Sequence, residues 1–249
     1  MPPKYGTIAI DSAGELARLF FSKDMAKRGT DLDKIRAVNN YPGATERLNM
    51  LVRVLKQKRD QGVEIVFTAH EDIEKIYARG SGMDKDRELP VAVKGWPDLP
   101  GRRAPDEFCR AADNVLHVRR VNGVANWIAR REAIGAGSEY WEVKDRFNGG
   151  AINSGILPAD YNRVKEMVTK LNPELWQPPY IWMLYGAFGI GKTRSLLTFP
   201  GPIKLFDLDL GTKSLTKTEV TNSKVEIVPF NVEDSEQYSP FITQLMGAI

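Results

Sequence analysis

The sequence predicts an α/β fold, a mostly parallel sheet flanked by helices in which the order of the strands is circularly permuted, and three observations carry that prediction. A glycine-rich loop of the form Gly-x-x-x-x-Gly-Lys-Thr occupies 186–193, between a strand-like and a helix-like segment. Two further buried-strand patterns, at 7–11 and 63–70, lie far upstream and end in polar side chains. Too little chain follows the loop to complete a sheet of about five parallel strands, so the remaining strands must precede it.

The glycine loop carries the most specific chemistry in the chain. Residues 180–185, Tyr-Ile-Trp-Met-Leu-Tyr, are an apolar aromatic and branched run that reads as a buried strand. A helix-compatible stretch at 193–198 follows the loop and stops at Pro200-Gly201. Strand, glycine loop and helix is the context the phosphate-binding pattern requires. Glycines let the backbone wrap closely around phosphate oxygens and reach positive φ, and the loop N–H groups then face the anion. The candidate binding segment is Gly186, Ala187, Phe188, Gly189, Ile190, Gly191, Lys192, Thr193 and Arg194. Lys192 is placed to reach the β and γ phosphates and Thr193 to put its hydroxyl on a Mg²⁺ ion. The expected ligand is a nucleoside triphosphate, ATP with Mg²⁺.

After the loop the pattern offers strands at 203–209 and 225–230 and one helix at about 234–246. Before it, Thr7-Ile-Ala-Ile-Asp11 is a short apolar strand ending in a carboxylate, the Walker B form in which an aspartate at a buried strand end holds the Mg²⁺ hydration shell. Helical spacing at 44–61 puts Leu48, Leu51, Val52 and Leu55 on one face, and Gly62 stops that helix. Further strands are expected at 114–120, 126–132 and 140–144, close enough to form hairpins, with Asn122-Gly123 as a turn. Because Asp11 precedes the glycine loop, joining Ile249 to Met1 would restore helix, short loop and Walker B strand in the usual order. The former ends would then be bridged by the proline-rich 172–180 segment. The expected organisation is one domain over 1–249, with a Walker B half at 1–171 and a glycine-loop half at 181–249. The alternative, Asp207 as the Walker B residue, is disfavoured by Lys204 inside that strand and by the strands still missing from the sheet after it.

In the rejoined order the chain resembles the RecA-like ATPases of phages, the group associated with single-strand annealing and recombination. The matching pieces are 186–193, Lys204-Leu-Phe-Asp-Leu-Asp-Leu-Gly211, Thr7-Ile-Ala-Ile-Asp-Ser12, Ile65-Val-Phe-Thr-Ala-His70 and Trp141-Glu-Val-Lys-Asp-Arg146. The resemblance implies ATP hydrolysis by a homo-oligomer, ring or filament, coupled to single- or double-stranded DNA. It implies a catalytic carboxylate at Asp209, which would orient or deprotonate the attacking water. The family carries a glutamate there, and aspartate is one methylene shorter. Asp207, two residues away and so on the same face, and Glu15 are the alternatives, or hydrolysis is slow. His70 matches a polar γ-phosphate sensor, its other reading being a solvated strand-end histidine, whereas His117 reads as a packed strand residue. Lys144 and Arg146 match a strand end from which one residue would reach a neighbouring subunit's γ-phosphate, the other reading being a charged strand end in solvent.

The region at about 78–105 carries Lys85, Arg87, Lys94, Arg102 and Arg103 around Trp96, diluted by Asp84, Asp86, Glu88 and Asp98. Its place resembles that of a mobile DNA-binding loop, with Trp96 stacking on a base. A solvated insertion or a subunit contact is the alternative. A second long loop, at about 22–43, is also mixed in charge.

Composition bounds the rest. The 249 residues are 42% hydrophobic and 27% charged with a net charge of +3, ordinary for a globular protein and permissive toward nucleic acid without arguing for it. A single cysteine, Cys109, excludes an internal disulfide and points to a reducing, cytoplasmic setting. The start lacks a signal-peptide pattern, and no apolar run approaches the ~20 residues that span a membrane, so no membrane partner is expected. Two histidines and one cysteine give no metal-ligand cluster of their own. No Asn-Lys-x-Asp guanine signature is present. A small-molecule kinase of the nucleoside type, or a regulatory protein that binds ATP and barely hydrolyses it, would use the same loop.

Overall fold

The computed structural model describes residues 3–28, 42–76, 92–99, 104–130, 138–149, 152, 155–232 and 234–248. Four apolar runs are buried along their whole length: β1 (Thr7–Asp11), β2 (Glu64–Ala69), β9 (Ile181–Tyr185) and β10 (Ile203–Asp207). Strands covered on both faces read as continuous apolar segments, and such strands pair in parallel. With β5 (Asn114–Val121), β6 (Val124–Ile128), β8 (Ile156–Pro158) and β11 (Val225–Pro229) they form an eight-stranded sheet in the order β11-β10-β1-β2-β9-β5-β6-β8. Every pairing from β11 to β5 is parallel, and β5–β6 and β6–β8 are antiparallel.

Period-2 alternation sends the side chains of each strand to two cores. Ile8, Ile10, Ile65, Phe67, Met183 and Phe206 face one, closed by α1 (Ala13–Arg28), α2 (Pro42–Arg59), α3 (Ala104–Ala111) and α7 (Tyr238–Ala248). Ala9, Val66, Trp182, Leu184 and Leu205 face the other, closed by α4 (Tyr161–Leu171), α5 (Lys192–Leu196) and an aromatic group that includes Trp127, Trp176 and Phe199. The expected α/β class, a mostly parallel sheet flanked by helices, is the architecture observed.

The order of the strands in the sheet matters more than their order in the chain. β1 lies between β2 and β10, and β9 lies between β2 and β5. Strands from before and after the glycine loop therefore interleave, and neither half contains the whole sheet.

Several elements differ from the sequence expectation. The helix expected at 44–61 starts at Pro42 and ends at Arg59. The strand expected at 140–144 is instead β7 (Ser138–Trp141), which pairs in parallel with β4 (Ala92–Pro97) in a small second sheet completed by β3 (Glu71–Ile76). Among the described residues, one isolated antiparallel bridge, Lys144 to Val115, joins that segment to the main sheet. The β5–β6 hairpin turns where expected: Asn122 (φ 51°) and Gly123 (φ 79°) are both left-handed, as a type I′ turn needs. Helices α1, α3 and α4 form in segments where no helix was expected. Of the expected 78–105 loop, residues 78–91 and 100–103 lie outside the described residues, as do 29–41 of the other long loop, and the described parts are β4 with 98–99, the start of α3, the end of α1 and the start of α2. Among the described residues no helix is long and apolar enough to cross a membrane.

The segment expected to be a linker is held in place by one buried carboxylate. Glu64 accepts hydrogen bonds from the Tyr161 hydroxyl (2.7 Å), the Tyr180 N–H (2.9 Å) and the Trp182 indole N–H (2.8 Å). It thus ties α4, the end of the 172–180 segment and β9 to β2. Replacing Glu64 by alanine leaves these three donors without their acceptor, and each buried unsatisfied group costs about 1–3 kcal/mol. Glu64→Ala should therefore destabilise the fold by at least about 3 kcal/mol in urea denaturation. Glu64→Gln should cost clearly less, because its oxygen can still accept from Tyr180 and Trp182 while the Tyr161 hydroxyl turns to accept.

Candidate functional site

Parallel strands present all their carboxyl ends at one edge, and there the chain gathers Asp11 from β1, His70 after β2, the glycine loop after β9 and Asp209 after β10. Together they line a cleft of about 440 Å³ that also includes Arg120, Arg194 and Lys213.

Backbone geometry explains the glycines of the loop. Gly189 (φ 68°) and Gly191 (φ 107°) are in the left-handed region. At Gly186 a Cβ would fall 2.3 Å from the Val118 carbonyl oxygen, so only glycine lets the loop leave β9 flush against β5. Inside the loop the buried Lys192 ammonium donates to the Gly186 and Ala187 carbonyls, each at 2.8 Å. Burial lowers its pKa, against the pull of Asp11 and Asp209. A partly desolvated cation wrapped by a backbone ring is chemistry suited to a polyphosphate.

Beside it, Asp11 Oδ2 accepts from Thr193 Oγ1 at 2.6 Å, joining positions 182 residues apart. Its other oxygen accepts from the Thr68 hydroxyl. Burial, and then the neighbouring Asp209, push the Asp11 pKa up to about 6, against the Thr193 and Thr68 hydrogen bonds. Asp209 moves the other way. Burial would raise it, but the His70 imidazole 3.6 Å away, the Gly211 N–H at 2.8 Å and Lys192 hold it below the usual carboxylate value. Between these two acids, Asp11 is therefore the one that keeps a proton longer.

Asp11, Asp207 and Asp209 each offer an oxygen within 4.8 Å of the others. Asp207 is already engaged, accepting from Gly211 N–H (3.0 Å) and the Thr212 hydroxyl and so pinning the 3-10 turn Gly211–Ser214 over the site. A Cβ on Gly211 would lie 2.8 Å from Asp209 Oδ1, 3.0 Å from Asp11 Oδ2 and 3.0 Å from Thr193 Oγ1. The turn thus leaves a small oxygen-lined cradle that a single methyl group would fill, and carboxylate and hydroxyl oxygens are donors that suit Mg²⁺.

The remaining expected residues are placed as follows. His70 meets Asp209 on one side and lies over the Phe188 ring on the other, with centroids 6.0 Å apart and planes 26° apart. Arg194 lines the cleft while its Nε pairs with Glu219 at 3.0 Å. Glu15, in the first turn of α1, pairs with Arg18, and burial raises its pKa, but it does not line the cleft. Lys144 and Arg146 stand at the opposite edge of the sheet, beside the first residues of β5. There Lys144 Nζ donates to the Arg110 carbonyl (3.0 Å) and the Ala112 carbonyl, capping the end of α3. Arg146 Nε reaches Asp113 at 3.1 Å. Neither side chain takes part in this chain's own cleft. His117 is packed, 2.9 Å from Glu71 and stacked on Trp141 at 3.7 Å. In β4, Lys94 Nζ lies 5.4 Å from the Trp96 ring centroid.

Sequence reasoning missed Thr68, Arg120, Lys213 and the cradle role of Gly211. Thr68 had a usable signal, since pairing β1 with β2 in parallel sets Ile10 beside Phe67 and so Asp11 near Thr68. Arg120 had none, because only the β5–β9 register brings that strand end against the loop.

Comparison with protein-family models, with curated proteins and with solved structures gives no match for this chain.

Two outcomes follow from this geometry. Gly211→Ala should weaken Mg²⁺-dependent binding of a fluorescent ATP analogue by at least about tenfold with little change in melting temperature. Because the Asp11 pKa is raised to about 6, the acid loses its proton as pH rises through that value, and only the carboxylate is a good Mg²⁺ ligand. Mg²⁺ titrations should therefore show affinity increasing from about pH 5 to about pH 7, with that dependence flattened in Asp11→Asn.

Proposed function

We propose that this chain is a Mg²⁺-dependent RecA-like ATPase with permuted connectivity, acting as a homo-oligomer coupled to DNA in phage recombination, replication or genome handling. The observation that carries the nucleotide part is the 2.6 Å hydrogen bond between Thr193 and Asp11. A hydroxyl that follows the loop lysine and a carboxylate at the end of a separate parallel strand are the two protein groups expected around a nucleotide-bound Mg²⁺. The permuted reading is supported by the interleaved strands, since β9-α5-β10, then α6 (Lys217–Asn222), β11 and α7, lead back in space to β1 and α1. The DNA and oligomer parts rest on the sequence resemblance.

In this reading Lys192 leaves the Gly186 and Ala187 carbonyls to bind the β and γ phosphates. Thr193 and Asp11 would hold the Mg²⁺, whose charge would offset part of that of the phosphates. Asp209, ionised and next to His70, orients a water for in-line attack. The water oxygen bonds to the γ-phosphorus as the bond to the ADP oxygen breaks, and the released proton passes to Asp209. In this reading His70, 3.6 Å from Asp209 and stacked on Phe188 of the loop, senses the γ-phosphate.

Steady-state ATP hydrolysis, with and without single- and double-stranded DNA, tests the proposal with Lys192→Ala as the blank. Turnover above the blank that rises with DNA is expected. Turnover indifferent to DNA would retain the nucleotide site and remove the DNA coupling. Asp209→Ala should lower kcat by about 10²–10⁴-fold, whereas Glu15→Ala should keep most of the rate. The reverse pattern would give the catalytic role to Glu15.

A further inference from the structure

We propose that Arg120 is the arginine that faces the terminal phosphate, supplied within the same chain. The proposal rests on the ATPase reading and adds a catalytic residue that the sequence did not single out.

The need for such a group comes from the charges in the cleft. Asp11 and Asp209 are both acidic and offset part of the charge that a bound Mg²⁺ would set against the phosphates. Lys192 and that cation then face a triphosphate whose charge migrates onto the γ oxygens and the leaving oxygen during transfer, which leaves a role for a further cation. Among the described residues, the basic side chains that line the cleft besides Lys192 are Arg120, Arg194 and Lys213. Arg194 pairs with Glu219 at 3.0 Å. Lys213 sits on the Gly211–Ser214 turn, over the cation cradle. The strand-end pair Lys144 and Arg146 stands at the far edge of the sheet, engaged with α3 and Asp113.

Arg120 is set against the loop by three contacts of its hairpin. A Cβ at Gly186 would meet the Val118 carbonyl at 2.3 Å, and one at Gly191 would meet Ala125 Cβ at 3.5 Å. Ala125 is the cross-strand partner of Arg120. Between these two points the Arg120 guanidinium donates to the Gly189 carbonyl at 3.4 Å. β5 and β6 therefore form the side wall of the glycine loop, and the tight Asn122-Gly123 turn fixes the strand end that carries Arg120. The bond to Gly189 is long and exposed, hence weak. A phosphate oxygen offers the guanidinium a stronger, charge-assisted acceptor, so the side chain can exchange the carbonyl for the phosphate without moving the backbone.

The test compares ATP turnover and binding in the full chain, Arg120→Ala and Arg120→Lys. Arg120→Ala should lose about 10³-fold in kcat while its affinity for a fluorescent ATP analogue stays within about tenfold; this retained binding also shows that the variant is folded. Arg120→Lys should recover part of the rate. If Arg120→Ala keeps kcat within about tenfold of the parent, the proposal is overturned while the ATPase reading stands. Mixing Arg120→Ala with Lys192→Ala should restore nothing; activity above the sum of the two would mean that the arginine acts between subunits and overturns the within-chain assignment. A parent chain with no turnover above the Lys192→Ala blank would remove the ATPase reading and this proposal together.

Discussion

The hydrogen bond from the Thr193 hydroxyl to the Asp11 carboxylate is the constraint on which the cleft depends. It closes only if β1, β2 and β9 lie side by side in parallel with their carboxyl ends level, because Asp11 terminates one outer strand and the glycine loop leaves the other. That alignment comes from strands buried on both faces, whose alternating side chains fill two separate cores. The Glu64 clasp fixes the other end of the same strands by holding Tyr180 and Trp182 of the loop-bearing segment to β2. A site assembled from residues at opposite ends of the chain is thus positioned by the sheet as a whole, and its geometry depends on packing far from the cleft.

Electrostatics then sets what the cleft can bind. Asp11 is almost fully buried, and its raised pKa expresses the cost of keeping a charge there beside Asp209. A divalent cation would relieve that cost, because it supplies a counter-charge to both acids. Lys192 is in the opposite position, a buried cation held by two backbone carbonyls and by the field of the same acids. Acid cluster and lysine are each strained alone and complementary to a metal–polyphosphate ligand together. Gly211 matters here for what it lacks, since any side chain would fall among the oxygens of Asp11, Asp209 and Thr193.

Much of this was legible in the sequence, and for identifiable reasons. The glycine loop is local: its φ requirements and its lysine are written in consecutive residues. The buried strands announce themselves as apolar runs, and Asn122-Gly123 as a turn of fixed handedness. What required the fold is relational. The small β3-β4-β7 sheet draws its strands from two separate segments, and nothing in residues 138–141 says that their partner is β4 and not the neighbouring hairpin. Asp207 and Asp209 look equivalent in sequence and share the Gly211 N–H, yet one is tied to Thr212 while the other turns to His70. Lys144 and Arg146 carry suitable charges at a suitable strand end, but the parallel register sets them at the edge opposite their own chain's cleft. Arg120 reads as an ordinary strand charge until β5 is set beside β9.

In the proposed function Thr193 and Asp11 act as one unit on a shared Mg²⁺. A double-mutant cycle tests it most directly, with Mg²⁺-ATP affinity measured calorimetrically for the parent, Asp11→Asn, Thr193→Val and the double variant. Strong non-additivity is expected, the double variant being little worse than the poorer single one, with a coupling energy above about 1 kcal/mol. Losses that simply add, as for independent distant sites, would contradict it.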